Sequence, residues 1–111
     1  MKNTINEYLD ASGKSPYAEW LGQLRDVKTK AKIMVRVDKM ELDLFGDVEP
    51  LGDGLSELRI HYGPGYRVYY GKEGRHVYLL LCGGDKSTQS KDIKNAKAYW
   101  KDHKRRNHDA T

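Results

Sequence analysis

A short basic cluster surrounds the Gly-Pro-Gly of residues 63–65, and it contains side chains suited to proton transfer and to binding of phosphate. Arg59 and His61 precede this turn, and Arg67 follows it. An imidazole titrates near neutral pH and can therefore act as a general base or acid. A guanidinium stays protonated and can stabilise the negative charge that develops on phosphorus. These residue types predict metal-independent cleavage of RNA through its own 2′-hydroxyl group, with His61 as the base or the acid.

The register of the predicted hairpin decides which side chains share a face of the sheet. Pairing across the turn is assumed to place His61 opposite Arg67. One exposed face is then predicted to carry Arg59, His61, Arg67, Tyr69, His76 and Tyr78. Glu57 is the one acidic residue expected on this face, and it lies at the margin. A bulge at Gly74 would instead move the members from the third strand to the other face.

The remaining candidate residues are expected to bind RNA or to add positive charge. Aromatic rings stack on unpaired bases, so Tyr69, Tyr78 and His76 are the predicted RNA-binding residues. Lys86 follows the third strand at the start of the last helix. Its ammonium group is therefore expected near the same surface, as a supporting cation in the catalytic set.

Two helices before the hairpin are predicted to support it. Ser15 can cap the first helix and Pro16 suits its first position. The apolar residues that follow at helical spacing are Tyr17, Trp20, Leu21 and Leu24. A second helix is predicted over residues 27–44, with Gly46 ending it. A short polar turn between the two helices predicts a helical hairpin.

The rest of the chain is predicted to form a small sheet and one further helix. An edge strand is expected over residues 3–9, a loop over 45–54, and strands over 55–62, 66–71 and 75–82. The last helix is expected over residues 87–103. The predicted fold is α+β, with the helical hairpin and the C-terminal helix packed on one face of a twisted, mainly antiparallel sheet of about four strands. Residues 1–103 are predicted to form one domain, and residues 104–111 a basic, frayed tail.

Composition narrows the classes of protein that this sequence can represent. The chain has 111 residues, a formal net charge of +4 and one cysteine. A chain of this length predicts a single domain, and its basic charge favours an anionic partner without requiring one. Without an apolar segment long enough to span a membrane, a secretory signal or a cysteine pair, a cytoplasmic protein is expected. Metal-binding spacings such as CxxC and HExxH are absent, and GGDKS lacks the spacing of a phosphate loop, so no metal and no cofactor are predicted.

Two stretches of the sequence resemble a known family. They are GLSELRIHYGPGYRVYY at residues 54–70 and VYLLLCGGDKSTQSKDIKNAKAYW at residues 77–100. The chain resembles the phage-derived, HigB-like branch of the RelE/ParE superfamily, also called addiction-module killer proteins. The resemblance extends from about Ala31 to Trp100 and is most specific in GPGYR and GGDKSTQ.

The resemblance implies a function, partners and a set of active residues. It implies a RelE-like fold, a toxin of a type II toxin-antitoxin system, and a cognate antitoxin protein. RelE-like and HigB-like members cut messenger RNA on the ribosome without a metal. Their active residues correspond here to Arg59, His61, Arg67 and Lys86. Histidine stands where a lysine is common, and the general acid has no clear counterpart, so the resemblance leaves that role open.

Two other functions remain open on the sequence alone. The first is a gyrase poison of the ParE type, which would share the fold but bind a topoisomerase. The second is a noncatalytic module that binds RNA or protein. The sequence does not indicate the oligomeric state.

Overall fold

The computed structural model describes residues 2–109 and shows an α+β fold, as predicted. The strands are β1 (Thr4–Glu7), β2 (Val48–Gly52), β3 (Leu55–Ile60), β4 (Tyr66–Gly74) and β5 (Val77–Asp85). The helices are α1 (Pro16–Gln23), α2 (Val27–Met40) and α3 (Gln89–Asp109), and a 3-10 turn at Lys86–Thr88 precedes α3. The five strands lie in one sheet in the order β1-β5-β4-β3-β2. The prediction of about four strands is therefore one strand short.

The sheet is mixed because its two edges pair differently. β1 pairs with β5 in parallel, whereas the other neighbours are antiparallel. The predicted N-terminal edge strand is confirmed. The predicted loop over residues 45–54 is wrong, because β2 lies within it and pairs with β3. Pro50 is tolerated there because an edge strand need not donate every backbone N–H to a neighbour.

The helix boundaries follow from local capping. The Oγ atom of Ser15 accepts a hydrogen bond from the backbone N–H of Ala18 at 3.1 Å, which confirms the predicted start of α1. Asp26 caps α2 in the same way. α2 ends at Met40 rather than Leu44, because the chain turns there and Asp43 adopts a left-handed backbone with φ of 64°.

The helical hairpin covers one face of the sheet, as predicted. Ile33 and Met40 of α2 are fully buried, and they pack with apolar side chains from the central strands. The buried strand residues in this first cluster are Leu58, Ile60, Val68, Tyr70, Tyr78 and Leu80. This cluster fixes the orientation of β3 and β4, which carry the candidate site.

α3 covers part of the other face, so the prediction that all the helices share one face is wrong. The second core cluster contains Leu55, Tyr69, Leu79, Leu81, Ala96 and Trp100. The indole Nε1–H of Trp100 donates to the carbonyl oxygen of Asp53 at 2.7 Å. A Cβ atom on Gly71 would lie only 2.5–2.7 Å from the Trp100 ring. Glycine at this position therefore allows α3 to approach the sheet closely.

A bulge changes which side chains of β5 face each helix layer. Tyr69 pairs with Cys82, but the next residue, Tyr70, pairs with Leu80. This extra residue in β5 places Tyr78 in the first cluster, under the helical hairpin. Tyr78 thus lies on the face opposite the one predicted for it. A further irregularity lies between Lys72 and Gly74, near the predicted bulge.

The last helix is longer than predicted. It continues to Asp109, so residues 104–109 of the expected tail are helical, and residues 110–111 lie outside the described part. Lys104 is paired with Asp53, and Arg105 and Arg106 are both paired with Asp102. Within residues 2–109, none of the helices combines the length and the apolar character needed to cross a bilayer.

Candidate functional site

A buried carboxylate lies at the centre of the candidate site. Glu57 of β3 has a side chain that is only 1% exposed. Its Oε2 atom lies 3.0 Å from Nε of Arg59, and its Oε1 atom lies 3.6 Å from Nε of Arg67. Arg59 and Arg67 are direct partners in the register of β3 and β4. The three side chains meet because alternate residues of a strand, and their cross-strand partners, share a face.

The first residue of α3 completes this cluster. The side-chain amide of Gln89 donates to both carboxylate oxygens of Glu57, at 3.1 and 3.4 Å. Sequence reasoning assigned no role to Gln89 and placed Glu57 only at the margin of the face. The available signal was that both residues lie within the two stretches that carry the family resemblance.

Arg67 and Lys86 lie beside the Gly-Pro-Gly turn. The backbone N–H of Lys86 donates to the carbonyl oxygen of Gly65 at 3.0 Å. A Cβ atom on Gly65 would lie 3.7 Å from Cδ of Lys86 and 3.9 Å from Nη1 of Arg67. Both long side chains therefore pass over the same glycine. Asp85 immediately precedes Lys86. The hydrogen bond from Ser87 lowers the pKa of the Asp85 carboxyl group, and the charge of Arg67 contributes less to the same effect.

His61 lies at the other end of the cluster, next to Arg59. Its side chain is 74% exposed, and its Nε2 atom lies 2.5 Å from Oδ2 of Asp47. The hydrogen bond to His61, with smaller contributions from the charges of Arg59 and Arg36, lowers the pKa of Asp47. The backbone N–H of Arg59 donates to the carbonyl oxygen of Asp47. The predicted pairing of His61 with Arg67 is wrong, because Arg59 occupies that position and His61 lies beyond the end of β3.

These side chains form a row of basic and acidic groups along one end of the sheet. We call it the charge row, and it consists of His61, Asp47, Arg59, Glu57, Arg67 and Lys86. The prediction of a face with almost no acidic groups is wrong, since Asp47 and Glu57 each contact a basic group. The arrangement provides an imidazole oriented by a carboxylate, two arginines held by a second carboxylate, and a lysine.

The three predicted RNA-binding residues lie away from the charge row or beneath the helices. Tyr69 is fully buried under α3, and burial raises the pKa of its hydroxyl group above the ordinary value. Tyr78 is buried on the opposite face. His76 precedes β5, and its Nδ1 atom lies 3.2 Å from Oδ1 of Asn3. Base stacking on the two tyrosines is therefore excluded, because neither ring is exposed.

A groove adjoins His61 on the side of α2. It has a volume of about 570 Å³. Its lining consists of Lys28, Ala31, Lys32, Val35, Arg36, Ile60, His61 and Tyr62. The ammonium group of Lys32 lies 4.8 Å from the centre of the Tyr62 ring. We call this feature the basic groove, because lysines and an arginine border its apolar floor.

Metal-binding side chains do not cluster in the part of the chain that the structure describes. Residues 2–109 contain no group of three or more histidine, cysteine, aspartate or glutamate side chains placed to hold an ion. Cys82 is buried, and burial raises the pKa of its thiol to about 12. This thiol is therefore protonated at neutral pH and is not an activated nucleophile.

Comparison with known proteins shows which family this chain belongs to. No protein-family model matches the chain. An uncharacterised protein of Haemophilus influenzae is 48% identical over 81 residues, which cover 73% of this chain and 82% of that protein. The chain belongs to the same family as this Haemophilus protein.

Proposed function

We propose that this member of the family is the toxin of a type II toxin-antitoxin system and that it cleaves messenger RNA on the ribosome. The observation that carries the proposal is the charge row, in which the His61–Asp47 pair lies beside Arg59 and the held Arg67. The sequence resemblance to HigB-like toxins supports the same function. The reaction would be metal-independent cleavage through the 2′-hydroxyl group of the RNA.

His61 is the proposed general base. Its bond to Asp47 uses Nε2 and leaves Nδ1 to take the proton of a 2′-hydroxyl group. The carboxylate keeps the ring oriented and stabilises the imidazolium that forms, as in other histidine–carboxylate pairs. The 2′-oxygen then attacks phosphorus, and the bond to the 5′-oxygen breaks. Solvent water would supply the proton to the leaving 5′-oxygen, and the other fragment would end in a 2′,3′-cyclic phosphate.

Arg59 and Arg67 are the proposed phosphate-binding groups. Each contacts Glu57 through Nε, and their Nη groups donate no hydrogen bond to any residue in the described range. Paired guanidinium N–H groups match the oxygen atoms of a phosphate. Lys86 supplies further positive charge beside Arg67. Together they would stabilise the extra negative charge of the pentacoordinate phosphorus.

The basic groove would hold the RNA strand next to the cleaved bond. Lys28, Lys32 and Arg36 line it, and His61 forms one end. Lysine and arginine side chains attract the phosphate backbone of any sequence. This extended basic surface and the net charge of +4 are consistent with binding to ribosomal RNA and messenger RNA. The proposed partners are therefore the ribosome, its message and a cognate antitoxin, and the proposed compartment is the cytoplasm.

Cleavage of a translated message tests the proposal. Purified protein is added to ribosomes programmed with a defined message, and primer extension maps the cut sites. We expect cuts with the wild-type protein, and a loss of about 10²–10³-fold in the single-turnover rate for Arg67→Ala, as for removal of one transition-state donor. His61→Ala should lose cutting while keeping ribosome affinity. His76→Ala is the matched control, because it removes an imidazole that bonds to Asn3 outside the charge row.

A noncatalytic module is the second candidate function, because carboxylates pair with most of the cations in the charge row. A wild-type protein that binds ribosomes but leaves messages intact would support this candidate. A gyrase poison would instead block the supercoiling of relaxed DNA by purified gyrase, and His61→Ala would not change that effect. In either case, messages that stay intact on ribosomes incubated with the wild-type protein would refute the nuclease proposal.

A further inference from the structure

We propose that Glu57 is a positioning residue, whose buried carboxylate holds the guanidinium groups of Arg59 and Arg67 ready for phosphate. This inference rests on the proposed function, since it takes the two arginines as the phosphate-binding groups. It adds a residue to which the sequence pattern gave no role.

Glu57 is a buried charged residue, and a charge in the interior requires partners of opposite charge. The residue is fully buried, although a carboxylate loses much of its hydration in the interior and is costly there without partners. The two oxygen atoms have different partners: Oε2 binds Arg59 and Oε1 faces Arg67. One carboxylate thus pairs with two arginines that would otherwise repel each other across β3 and β4.

The contacts also determine which part of each guanidinium remains available. Nε of Arg59 donates a hydrogen bond to Glu57 at 3.0 Å, whereas Nε of Arg67 is buried 3.6 Å from the carboxylate in an ion pair without a hydrogen bond. A guanidinium has five N–H donors, so this mode leaves the Nη donors for another acceptor. The side chain of Arg67 is 9% exposed and that of Arg59 is 32% exposed. A long side chain that is already held loses less freedom when it binds a phosphate.

Gln89 extends this support to α3. Its amide group donates to both oxygen atoms of Glu57, so the carboxylate joins β3, β4 and the start of α3. The α3 residue is itself placed by the 3-10 turn that begins at Lys86. The Glu57 carboxylate therefore also connects Arg59 and Arg67 to the 3-10 turn that carries Lys86.

The test compares Glu57→Gln with Glu7→Gln. The first change keeps the size of the side chain and removes the charge that holds the arginines. The second removes one negative charge from an exposed residue of β1, away from the charge row. We expect Glu57→Gln to lower kcat for message cleavage at least tenfold with a smaller change in KM, and Glu7→Gln to change neither by more than twofold. A purely structural role would lower the midpoint of thermal unfolding but leave kcat unchanged well below that midpoint.

A second measurement needs no enzyme activity. Nitrogen-15 NMR of the arginine Nε–H groups should show slow hydrogen exchange for Arg59 and Arg67 in the wild-type protein. Exchange of these two groups should become at least tenfold faster in Glu57→Gln but not in Glu7→Gln. If Glu57→Gln does not fold, the wild-type spectrum still decides, because exchange as fast as that of free arginine would overturn the inference.

The two measurements separate the possible failures. A wild-type protein that does not cleave messages refutes the proposed function, while the exchange rates still decide whether Glu57 holds the arginines. Normal cleavage kinetics and unchanged exchange in a folded Glu57→Gln protein would refute the inference and leave the proposed function standing.

Discussion

Replacement of Gly71 by alanine should strongly destabilise the protein. A Cβ atom at this position would lie 2.5 Å from Cζ3, 2.6 Å from Cε3 and 2.7 Å from Cη2 of Trp100. Carbon atoms pack at about 3.5–4.0 Å, so the indole ring would have to move by about 1 Å. The ring is 4% exposed, and its Nε1–H donates to the Asp53 carbonyl oxygen. It therefore has little room to move without losing this bond.

The size of the effect follows from these two contacts. Overpacking of a filled core costs about 1–3 kcal/mol, and a lost hydrogen bond costs about 1 kcal/mol. We therefore expect Gly71→Ala to lower the free energy of unfolding by about 2–4 kcal/mol. For a domain of about 100 residues this corresponds to a fall in Tm of roughly 10–25 °C. Urea unfolding, followed by circular dichroism, measures the change directly.

Gly22→Ala is the matched control for Gly71→Ala. Gly22 lies in α1, and a Cβ atom there would have no heavy atom within 4 Å. The same substitution should raise the free energy of unfolding by about 0.5–1 kcal/mol, because alanine favours the helix more than glycine does. Trp100→Phe should cost less stability in the Gly71→Ala protein than in the wild-type protein, since it relieves the overlap. A Gly71→Ala protein within 0.5 kcal/mol of the wild type would refute the packing argument.

Three further predictions concern capping, burial and pH. Ser15→Ala should lower the free energy of unfolding by about 1 kcal/mol in urea titrations, because the N–H of Ala18 loses its acceptor. Ser15→Asp should retain most of the wild-type stability, and equal stability of all three proteins would contradict the capping. Cys82, whose burial raises its pKa to about 12, should react with a disulfide reagent at pH 8 only after urea unfolding; rapid labelling of the folded protein would be the contrary result. The hydrogen bond to His61 lowers the pKa of Asp47 in the folded protein. This bond therefore stabilises the fold fully above the unfolded pKa of about 4, and the stabilisation is lost as the pH falls through the lower pKa of the folded state. Carbon-13 NMR titration of the Asp47 carboxyl group should show that pKa rising in His61→Ala, and an unchanged value would exclude the bond.

The fold was predictable where local signals and long-range packing agree. The start of α1 depends on Ser15 and Pro16, which specify a helix N-terminus without any distant contact. β2 was missed because Pro50 and Gly52 argue against a strand, while its pairing with β3 at the sheet edge outweighs them. The face of the sheet that α3 covers was also predicted wrongly. The apolar run from Val77 to Cys82 was the available signal, because it indicates a strand that is buried on both faces.

The candidate site was predictable only in part, for a similar reason. Alternation along β3 and β4 correctly placed Arg59 and Arg67 on one face. The positions of Tyr69 and Tyr78 depend on the location of α3 and on a bulge opposite Tyr69, and neither has a local signal in the sequence. The role of Glu57 was missed because a glutamate in a strand usually faces solvent. Its contact with Gln89 depends on the tertiary fold and has no local signal in the sequence.

The parallel pairing of β1 with β5 has a consequence for the order in which the chain folds during synthesis. β1 ends at Glu7 and its partner begins at Val77, so 69 residues lie between the two strands. At about 5–20 residues per second, the first strand waits roughly 4–14 seconds for its partner to be translated. α1 and α2 are also made before β3, β4 and β5, the strands on which their buried side chains pack. The nascent chain therefore cannot close its sheet until β5, the strand that leads into Lys86, has been made.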